Sequence, residues 1–194
     1  MAPSVYILAG TPGVGKSTVS RALASRMGVW LLELADIVGP RAVEVSASAL
    51  SARAGSMIRR GGRDAVIATH IVFKPRSIPV RAAVVLRRDP YRLLEELAMR
   101  GYPEAKVLEN VEAELLGIVY WEALSRFGAG RVFQIDTTGR GGEEVVELAY
   151  EALTGGWRGE DIDWISRLES EGRLEGLVTR LSTRGRALTH YRES

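Results

Sequence analysis

The fold of this chain is decided by residues 10–18, which read GTPGVGKST near the start of the sequence. The pattern is a glycine, four further residues, a second glycine, a lysine and a hydroxyl residue, and it is typical of loops that bind phosphates. Glycines allow such a backbone to curl until its N–H groups point at an anion. Lys16 brings a mobile positive charge to the β- and γ-phosphates of ATP, and the Ser17 hydroxyl can ligate the bridging Mg²⁺. The predicted nucleotide-binding residues of the loop are Gly13, Gly15, Lys16, Ser17 and Thr18.

The sequence on either side of the loop supports this interpretation. Val5–Ala9 is a short apolar run that favours a buried β-strand. After the loop, Val19, Leu23 and Met27 recur at helical spacing. A phosphate loop requires a strand before it and a helix after it, and the helix adds the positive end of its dipole. The alternative is a glycine-rich turn between strand and helix that binds nothing.

The composition is that of an intracellular globular protein. A chain of 194 residues, of which 46% are hydrophobic, is expected to form one domain. No apolar run is long enough to cross a membrane and no signal peptide precedes the first strand, so we expect a cytoplasmic protein. Cysteine is absent, which excludes disulfides, thiolate zinc sites and cysteine nucleophiles. The net charge is +2 and arginine greatly outnumbers lysine; arginine suits phosphate recognition, although base composition or heat adaptation explains most of these residues better.

Short apolar strands alternate with helices along the rest of the chain. The predicted strands are Val5–Ala9, Val29–Leu34, Ala65–Thr69, Ala82–Leu86 and Val132–Ile135. Besides the helix after the loop, the predicted helices are Ser46–Arg60, Pro90–Met99, Glu104–Leu124, Glu143–Leu153 and Trp157–Leu168, and residues 36–45 are expected to be irregular. This alternation predicts an α/β fold in which helices cover both faces of a five-stranded parallel sheet. Ligands of such sheets bind beyond the carboxyl ends of the strands, so the residues that follow each strand are candidates for the site.

A second set of residues resembles one family closely. It comprises Val84–Pro90, Arg100–Tyr102, Lys106, Glu109–Asn110, Ala113–Glu114 and Glu122–Ala123, and residues 10–18 and Ile135–Thr138 agree with it. Over residues 4–153 the chain resembles the archaeal and eukaryotic adenylate kinase isoenzyme six family. The resemblance implies a P-loop kinase domain at residues 1–154, with a monophosphate segment at about 31–54 and a lid at about 99–109. Beyond it, residues 155–194 are expected to form a helical extension packed on the same domain.

The resemblance also implies an activity and partners. The implied reaction converts ATP and AMP into two ADP, with slow hydrolysis of ATP beside it. The implied cellular role is maturation of the small ribosomal subunit, together with a small-subunit ribosomal protein and pre-ribosomal RNA. Two alternatives stay open: a catalytically weak ATP-binding switch that acts on a ribosomal protein, and a kinase of another small molecule on the same fold.

Arg100 and Lys106 flank the turn of the expected lid. Such a segment can close over bound phosphates and exclude water, and an arginine that neutralises the transferring group raises the rate by about 10³–10⁵. The alternative is a surface turn that carries two solvated cations. With Lys16 and His70, Arg100 completes the set of candidate catalytic residues.

The chain departs from the family pattern at two positions. Ala68 stands where the family places an aspartate that helps to hold the metal, and Asp64 lies at the opposite end of the same strand. Since Mg²⁺ often keeps several waters, this loss can weaken the metal site without abolishing it. His70 either orients a water or a phosphate, as the family suggests, or is a hydrogen-bonded structural residue. Glu96 replaces a family arginine four residues before Arg100.

Three further groups of polar residues have two interpretations each. Arg41, Arg53, Arg59 and Arg60 either contact the phosphate of AMP or are solvated. Asp136 is expected to cap a turn, with the backbone that follows it bordering the adenine. From Arg173 to Arg192 the chain carries five arginines, one histidine and one glutamate, and this segment either contacts RNA or forms a docked helix. Residues Leu174, Leu177, Val178 and Leu181 have the helical spacing that favours docking.

Overall fold

The computed structural model describes residues 2–39 and 46–189, with side chains up to residue 182. The strands are β1 (Val5–Gly10), β2 (Trp30–Glu33), β3 (Ala65–Thr69), β4 (Val80–Arg87) and β5 (Val132–Asp136). The helices are α1 (Lys16–Met27), α2 (Leu34–Val38), α3 (Ala47–Gly61), α4 (Pro90–Met99), α5 (Glu104–Leu115), α6 (Ile118–Phe127), α7 (Gly142–Thr154), α8 (Trp164–Ser170) and α9 (Leu174–Thr189). None of the helices in these two ranges is long and apolar enough to cross a membrane.

The five strands form one parallel sheet in the order β2-β3-β1-β4-β5. β1 lies in the centre, where Ala9 pairs with Thr69 of β3 on one side and Val85 of β4 on the other. The carboxyl ends of β1, β3 and β4 therefore meet at one edge of the sheet, and the loop that follows β1 lies at that edge. The predicted α/β class and the five-stranded sheet are confirmed.

Two hydrophobic clusters cover the two faces of the sheet because successive strand residues point to opposite sides. Leu8 belongs to the cluster that packs against α1, α4, α5 and α7. Its neighbour Ile7 belongs to the cluster that packs against α3 and α6. The C-terminal segment joins the first cluster, since Trp164, Leu168 and Leu177 are buried there.

The predicted helix Glu104–Leu124 is wrong as a single element. The structure divides it into α5 and α6 at Leu116 and Gly117, and Gly117 has a φ of 64°. A Cβ on Gly117 would lie 3.4 Å from Nη1 of Arg87. The helix therefore breaks where a buried guanidinium approaches the backbone, and glycine tolerates both the turn and the contact.

The predicted helix Trp157–Leu168 begins later than expected, at Trp164. Residues 157–163 instead run beside β5, where the N–H of Glu160 donates to the carbonyl of Gln134 over 3.0 Å. The helix starts only after Asp163, whose Oδ1 accepts from the N–H groups of Ile165 and Ser166. Within α8, Trp164 and Leu168 are buried, whereas Ile165 is 38% exposed.

The segment expected to be irregular, residues 36–45, is helical at its start. Glu33 and Asp36 form a reciprocal cap at the start of α2. This capping pair is a local sequence signal that the expectation of an irregular segment left out. Residues 40–45 lie outside the described part of the chain, so the expectation for Arg41 lies there too.

Candidate nucleotide-binding site

The predicted phosphate loop joins β1 to α1 at the carboxyl edge of the sheet. Its glycines have conformations and neighbours that a side chain would disturb. Gly10 has a φ of 149°, and a Cβ there would lie 2.6 Å from the carbonyl oxygen of Leu86. Gly13 has a φ of 96°, and a Cβ there would lie 2.7 Å from Leu93 of α4. Gly15 has a φ of 95° with open space on its Cβ side, so the loop is packed on α4 at Gly13 and open at Gly15.

Lys16 is the first residue of α1, and its side chain folds back over the loop. Its Nζ donates to the carbonyl oxygens of Gly10 at 2.7 Å and Thr11 at 2.8 Å. Burial lowers the pKa of the Lys16 ammonium to about 8, and the negative charge of Glu114 opposes this shift. A partly buried ammonium beside a curled backbone is suited to bind phosphate oxygens, which would supply the negative counter-charge that favours its protonated form.

Ser17 and Thr18 lie in the exposed first turn of α1. Among the described residues, no cluster of three or more His, Cys, Asp or Glu side chains could hold a metal ion. The Ser17 hydroxyl stays the predicted ligand of Mg²⁺, a cation that beside nucleotides usually takes phosphate oxygens and waters as its other ligands.

The end of β3 shows what replaces the missing aspartate. Ala68 is nearly buried and is paired in register with Leu8 of β1 and Glu33 of β2. Glu33 therefore places a carboxylate at this edge of the sheet on β2, further from the phosphate loop than Ala68 is. Asp64 lies at the amino end of β3, where it accepts from the N–H and the hydroxyl of Ser4.

His70 follows β3 beside the phosphate loop. Partial burial lowers the pKa of its imidazole below the ordinary value, and the nearby Lys16 charge lowers it further. This lowering of the pKa favours the neutral imidazole, whose unprotonated ring nitrogen can accept a proton or a hydrogen bond.

Arg100, the arginine of the predicted lid, is held by Glu96, the residue that departs from the family pattern. Glu96 forms an ion pair with Arg100 through Oε1 and with Arg88 through Oε2, the latter at 2.8 Å. Glu96 therefore brings together two cations, one from the end of β4 and one from the end of α4. Lys106 is exposed and pairs with Glu109 on its own helix at 2.8 Å.

One buried carboxylate near the loop was missed in the sequence. The Glu114 side chain of α5 accepts from the hydroxyl of Thr11 at 2.6 Å and from Nε of Arg87 at 2.7 Å. Glu114 was noted only as part of the family segment. Its signal was its position in the apolar stripe of α5, between Val111 and Leu115, where an acid that is merely solvated is not expected.

The comparisons with known proteins agree with this geometry. Residues 7–117 match a family model described as an AAA domain. A protein named "Putative adenylate kinase" from Pyrobaculum aerophilum is 33% identical over 189 residues, which cover 91% of this chain and 93% of the relative. One of the same name from Archaeoglobus fulgidus is 35% identical over 185 residues, covering 90% and 98%.

The chain belongs to this adenylate kinase family. The resemblance is therefore confirmed at the level of the family, while the isoenzyme six subgroup stays a prediction. Among solved structures, a gluconokinase from Sinorhizobium meliloti aligns with a TM-score of 0.57 at 18% identity, covering 79% of this chain and 93% of that one. This likeness concerns the fold, which is that of a P-loop kinase.

In this family member the loop after β5 is fixed by its own polar groups. Oδ1 of Asp136 accepts from the N–H of Thr138 at 2.8 Å, as expected of a residue that caps a turn. Oδ2 of Asp136 also pairs with Arg167 of α8 at 3.3 Å. Next to this loop, a cavity of about 530 Å³ lies between α1 and α7, lined by residues that include Thr18, Gly142 and Val146.

Two of the arginines that were candidates to contact the phosphate of AMP, Arg53 and Arg59, bond to backbone carbonyls. Arg53 donates to the carbonyl of Val38 at 2.5 Å, and Arg59 donates to that of Arg76 at 2.8 Å. Arg60 is exposed at the end of α3. The structure therefore gives Arg53 and Arg59 local structural partners, and it does not bring either of them to Lys16.

A larger cavity, of about 810 Å³, opens at the other edge of the sheet. Its lining includes Ser4, Arg81 and Arg131, near the amino ends of β1, β4 and β5. Because the phosphate loop lies at the carboxyl edge, this cavity is separate from the candidate site.

Proposed function

We propose that this protein is an ATP-dependent nucleoside monophosphate kinase that converts ATP and AMP into two ADP. The observation that supports it most strongly is the partly buried ammonium of Lys16, which two backbone carbonyls hold within a glycine loop that is open at Gly15. Membership of the adenylate kinase family supports AMP as the acceptor. In this reaction an oxygen of the AMP phosphate attacks the γ-phosphorus, and the bond to the β–γ bridging oxygen breaks, so that both products are ADP.

We assign the roles of the residues from their chemistry. Lys16 binds the β- and γ-phosphates, and the backbone N–H groups from Gly13 to Thr18 cradle the others. Ser17 would hold Mg²⁺, which when bound neutralises phosphate charge. Arg100 moves from Glu96 to the transferring group as the lid closes. His70, being neutral, accepts a hydrogen bond from a water or a protonated phosphate near the loop.

A coupled assay tests this function on the purified protein with ATP, Mg²⁺ and each nucleoside monophosphate in turn. The expected result is AMP-dependent formation of ADP that is lost in Lys16→Ala. If ADP formation does not depend on any monophosphate, the proposal is wrong. Slow formation of ADP without AMP would instead identify the ATPase activity that the resemblance implies.

A second candidate function is a nucleotide-dependent switch in ribosome maturation. Two departures favour it: Ala68 removes a carboxylate near the metal, and Glu96 holds Arg100 away from a ligand. In this function the protein acts in the cytoplasm, with a small-subunit ribosomal protein and pre-ribosomal RNA as partners. The ribosomal protein binds the ATP and ADP states of this chain with different affinity. The tail that could contact RNA has most of its arginines beyond the described side chains. Capture of the partner from cell extract with and without ATP tests this role, and equal capture contradicts it.

A kinase of another small molecule remains the third candidate, because the fold alone does not select the acceptor. The same coupled assay distinguishes it if sugars and other hydroxyl acceptors replace the monophosphate. Activity with such an acceptor but not with AMP would favour this reading.

A further inference from the structure

The Glu114 side chain accepts hydrogen bonds from four donors, which come from three parts of the chain. Its Oε2 accepts from the hydroxyl of Thr11 at 2.6 Å. Its Oε1 accepts from Nε of Arg87 at 2.7 Å, from the N–H of Arg88 at 3.1 Å and from Nε1 of Trp164 at 3.0 Å. The residue is 1% exposed. These donors belong to the phosphate loop, to the end of β4 and to the start of α8.

The partners of Glu114 are themselves fixed. Nη2 of Arg87 donates to the carbonyl of Glu114 at 2.8 Å, and its Nη1 bonds to the side chain of Gln134 in β5. Arg87 and Glu114 are both almost fully buried, so the two charges neutralise each other away from water. A fully bonded buried network of this kind has one low-energy arrangement, which fixes the carboxylate in position.

Thr11 connects this network to the candidate catalytic ammonium. Its hydroxyl donates to Glu114, and its carbonyl oxygen accepts from Nζ of Lys16 at 2.8 Å. A shift of Thr11 therefore moves one of the two backbone atoms that hold the ammonium. A displacement of about 1 Å at a reacting group can cost about a hundredfold in rate.

We propose that Glu114 is a positioning residue for phosphoryl transfer, which fixes the phosphate loop through Thr11 and is itself oriented by Trp164. This inference rests on the proposed kinase function. It also gives the C-terminal segment a role, because Trp164 reaches the same carboxylate from outside the expected kinase domain. In this role Glu114 acts on the candidate catalytic ammonium through Thr11.

The first test replaces Glu114 with an isosteric neutral residue. Glu114→Gln is expected to lower kcat about 10- to 100-fold while KM for ATP changes by less than about threefold, because the displaced loop mainly affects the transition state. Glu112→Gln, an exposed acid on the same helix, is the matched control and is expected to keep the activity of the unaltered protein.

The second test approaches the same contact from the loop, in case Glu114→Gln fails to fold. Thr11→Val removes the hydroxyl but keeps the shape and leaves Arg87 paired with Glu114, so the network survives. We expect it to lower kcat about as much as Glu114→Gln, and Thr11→Ser to restore most of the activity. If Thr11→Val is folded, binds ATP and keeps full kcat, the inference is wrong.

Trp164 supplies a spectroscopic readout that is independent of turnover. In a variant with Trp30, Trp121 and Trp157 changed to Phe, the emission of Trp164 is expected to shift when a non-hydrolysable ATP analogue binds. The shift should disappear in the same background with Thr11→Val, although the analogue still binds by calorimetry. An emission shift that stays the same with Thr11→Val would contradict the coupling between Thr11 and Trp164. This readout needs no AMP-dependent activity, so failure of the proposed function would be recognised separately.

Discussion

The phosphate loop and the predicted lid at about residues 99–109 hold their charges in different ways. In the loop, Thr11 bonds to a buried carboxylate 103 positions away, and Lys16 lies among backbone carbonyls. In the lid, Arg100 pairs with Glu96 four positions away, and Lys106 pairs with Glu109 three positions away, both on partly exposed surfaces. Exposed pairs of this kind contribute only about 0.2–1 kcal/mol each. The loop is thus arranged before a nucleotide binds, whereas a ligand can take over the lid cations at little cost.

Among the variants that test this difference, replacement of Arg100 should have the largest effect on kcat. Arg100→Ala is expected to lower kcat by about 10³-fold, since an arginine that neutralises the transferring phosphoryl group contributes at least that much. Stability should change by less than about 0.5 kcal/mol, because the side chain is half exposed and paired only locally. Steady-state kinetics and urea denaturation measure the two quantities.

The control is Arg92→Ala in α4, where Arg92 pairs with Glu95 at 3.0 Å in a more exposed position than that of Arg100. It should leave kcat within about twofold of the unaltered protein, as surface substitutions usually do. Equal losses of kcat in the two variants would show that Arg100 has no special role in the reaction. The difference between the phosphate loop and the predicted lid would then have no functional consequence.

Local patterns predicted much of the fold. The bounds of β3 and α4 agree with the expectation to the residue, because the apolar run Ala65–Thr69 and the Asp89-Pro90 start are local signals. The break at Gly117 could not be predicted in this way. At this position Gly117 adopts a left-handed conformation close to the guanidinium of Arg87, which lies 30 positions earlier and reaches Gly117 only in the folded chain.

The same distinction between local and long-range signals applies to the candidate site. The phosphate loop could be predicted because the residues that shape it are consecutive. Glu114 could not be assigned a role, since its partners Thr11, Arg87 and Trp164 are brought together only by the fold. Glu96 illustrates the opposite case: it was read as a loss of charge, whereas the structure shows that it pairs with two arginines.

The pH dependence of the reaction tests how the phosphate loop holds the charge of Lys16. Because burial lowers the pKa of Lys16 to about 8, its charge in the free enzyme is lost above that pH. We expect kcat/KM for ATP to fall about tenfold per pH unit above pH 8. Bound phosphates should raise this pKa, so kcat should fall only at higher pH.

The same shift has a consequence for stability. In the unfolded chain a lysine keeps its proton up to about pH 10.4. Between about pH 8 and 10 the unfolded state therefore binds more protons at Lys16 than the folded state, so this residue makes the free energy of unfolding rise with pH. Lys16→Met should lack that contribution in urea titrations across the window. Identical pH slopes in the two proteins would mean that Lys16 is not buried as described.

The smallest expected effect concerns the ion pair that holds the lid arginine. Glu96→Gln releases Arg88 and Arg100 from one carboxylate, so ATP no longer competes with that carboxylate for them. Because such a pair contributes at most about 1 kcal/mol, KM for ATP should fall by up to about fivefold, with little change in kcat. The effect should shrink at high ionic strength, where exposed charges are screened. Glu95→Gln, which frees only Arg92, serves as the control. A rise in KM or a loss of kcat would show instead that Glu96 positions Arg100, and the lid would then be prearranged as the loop is.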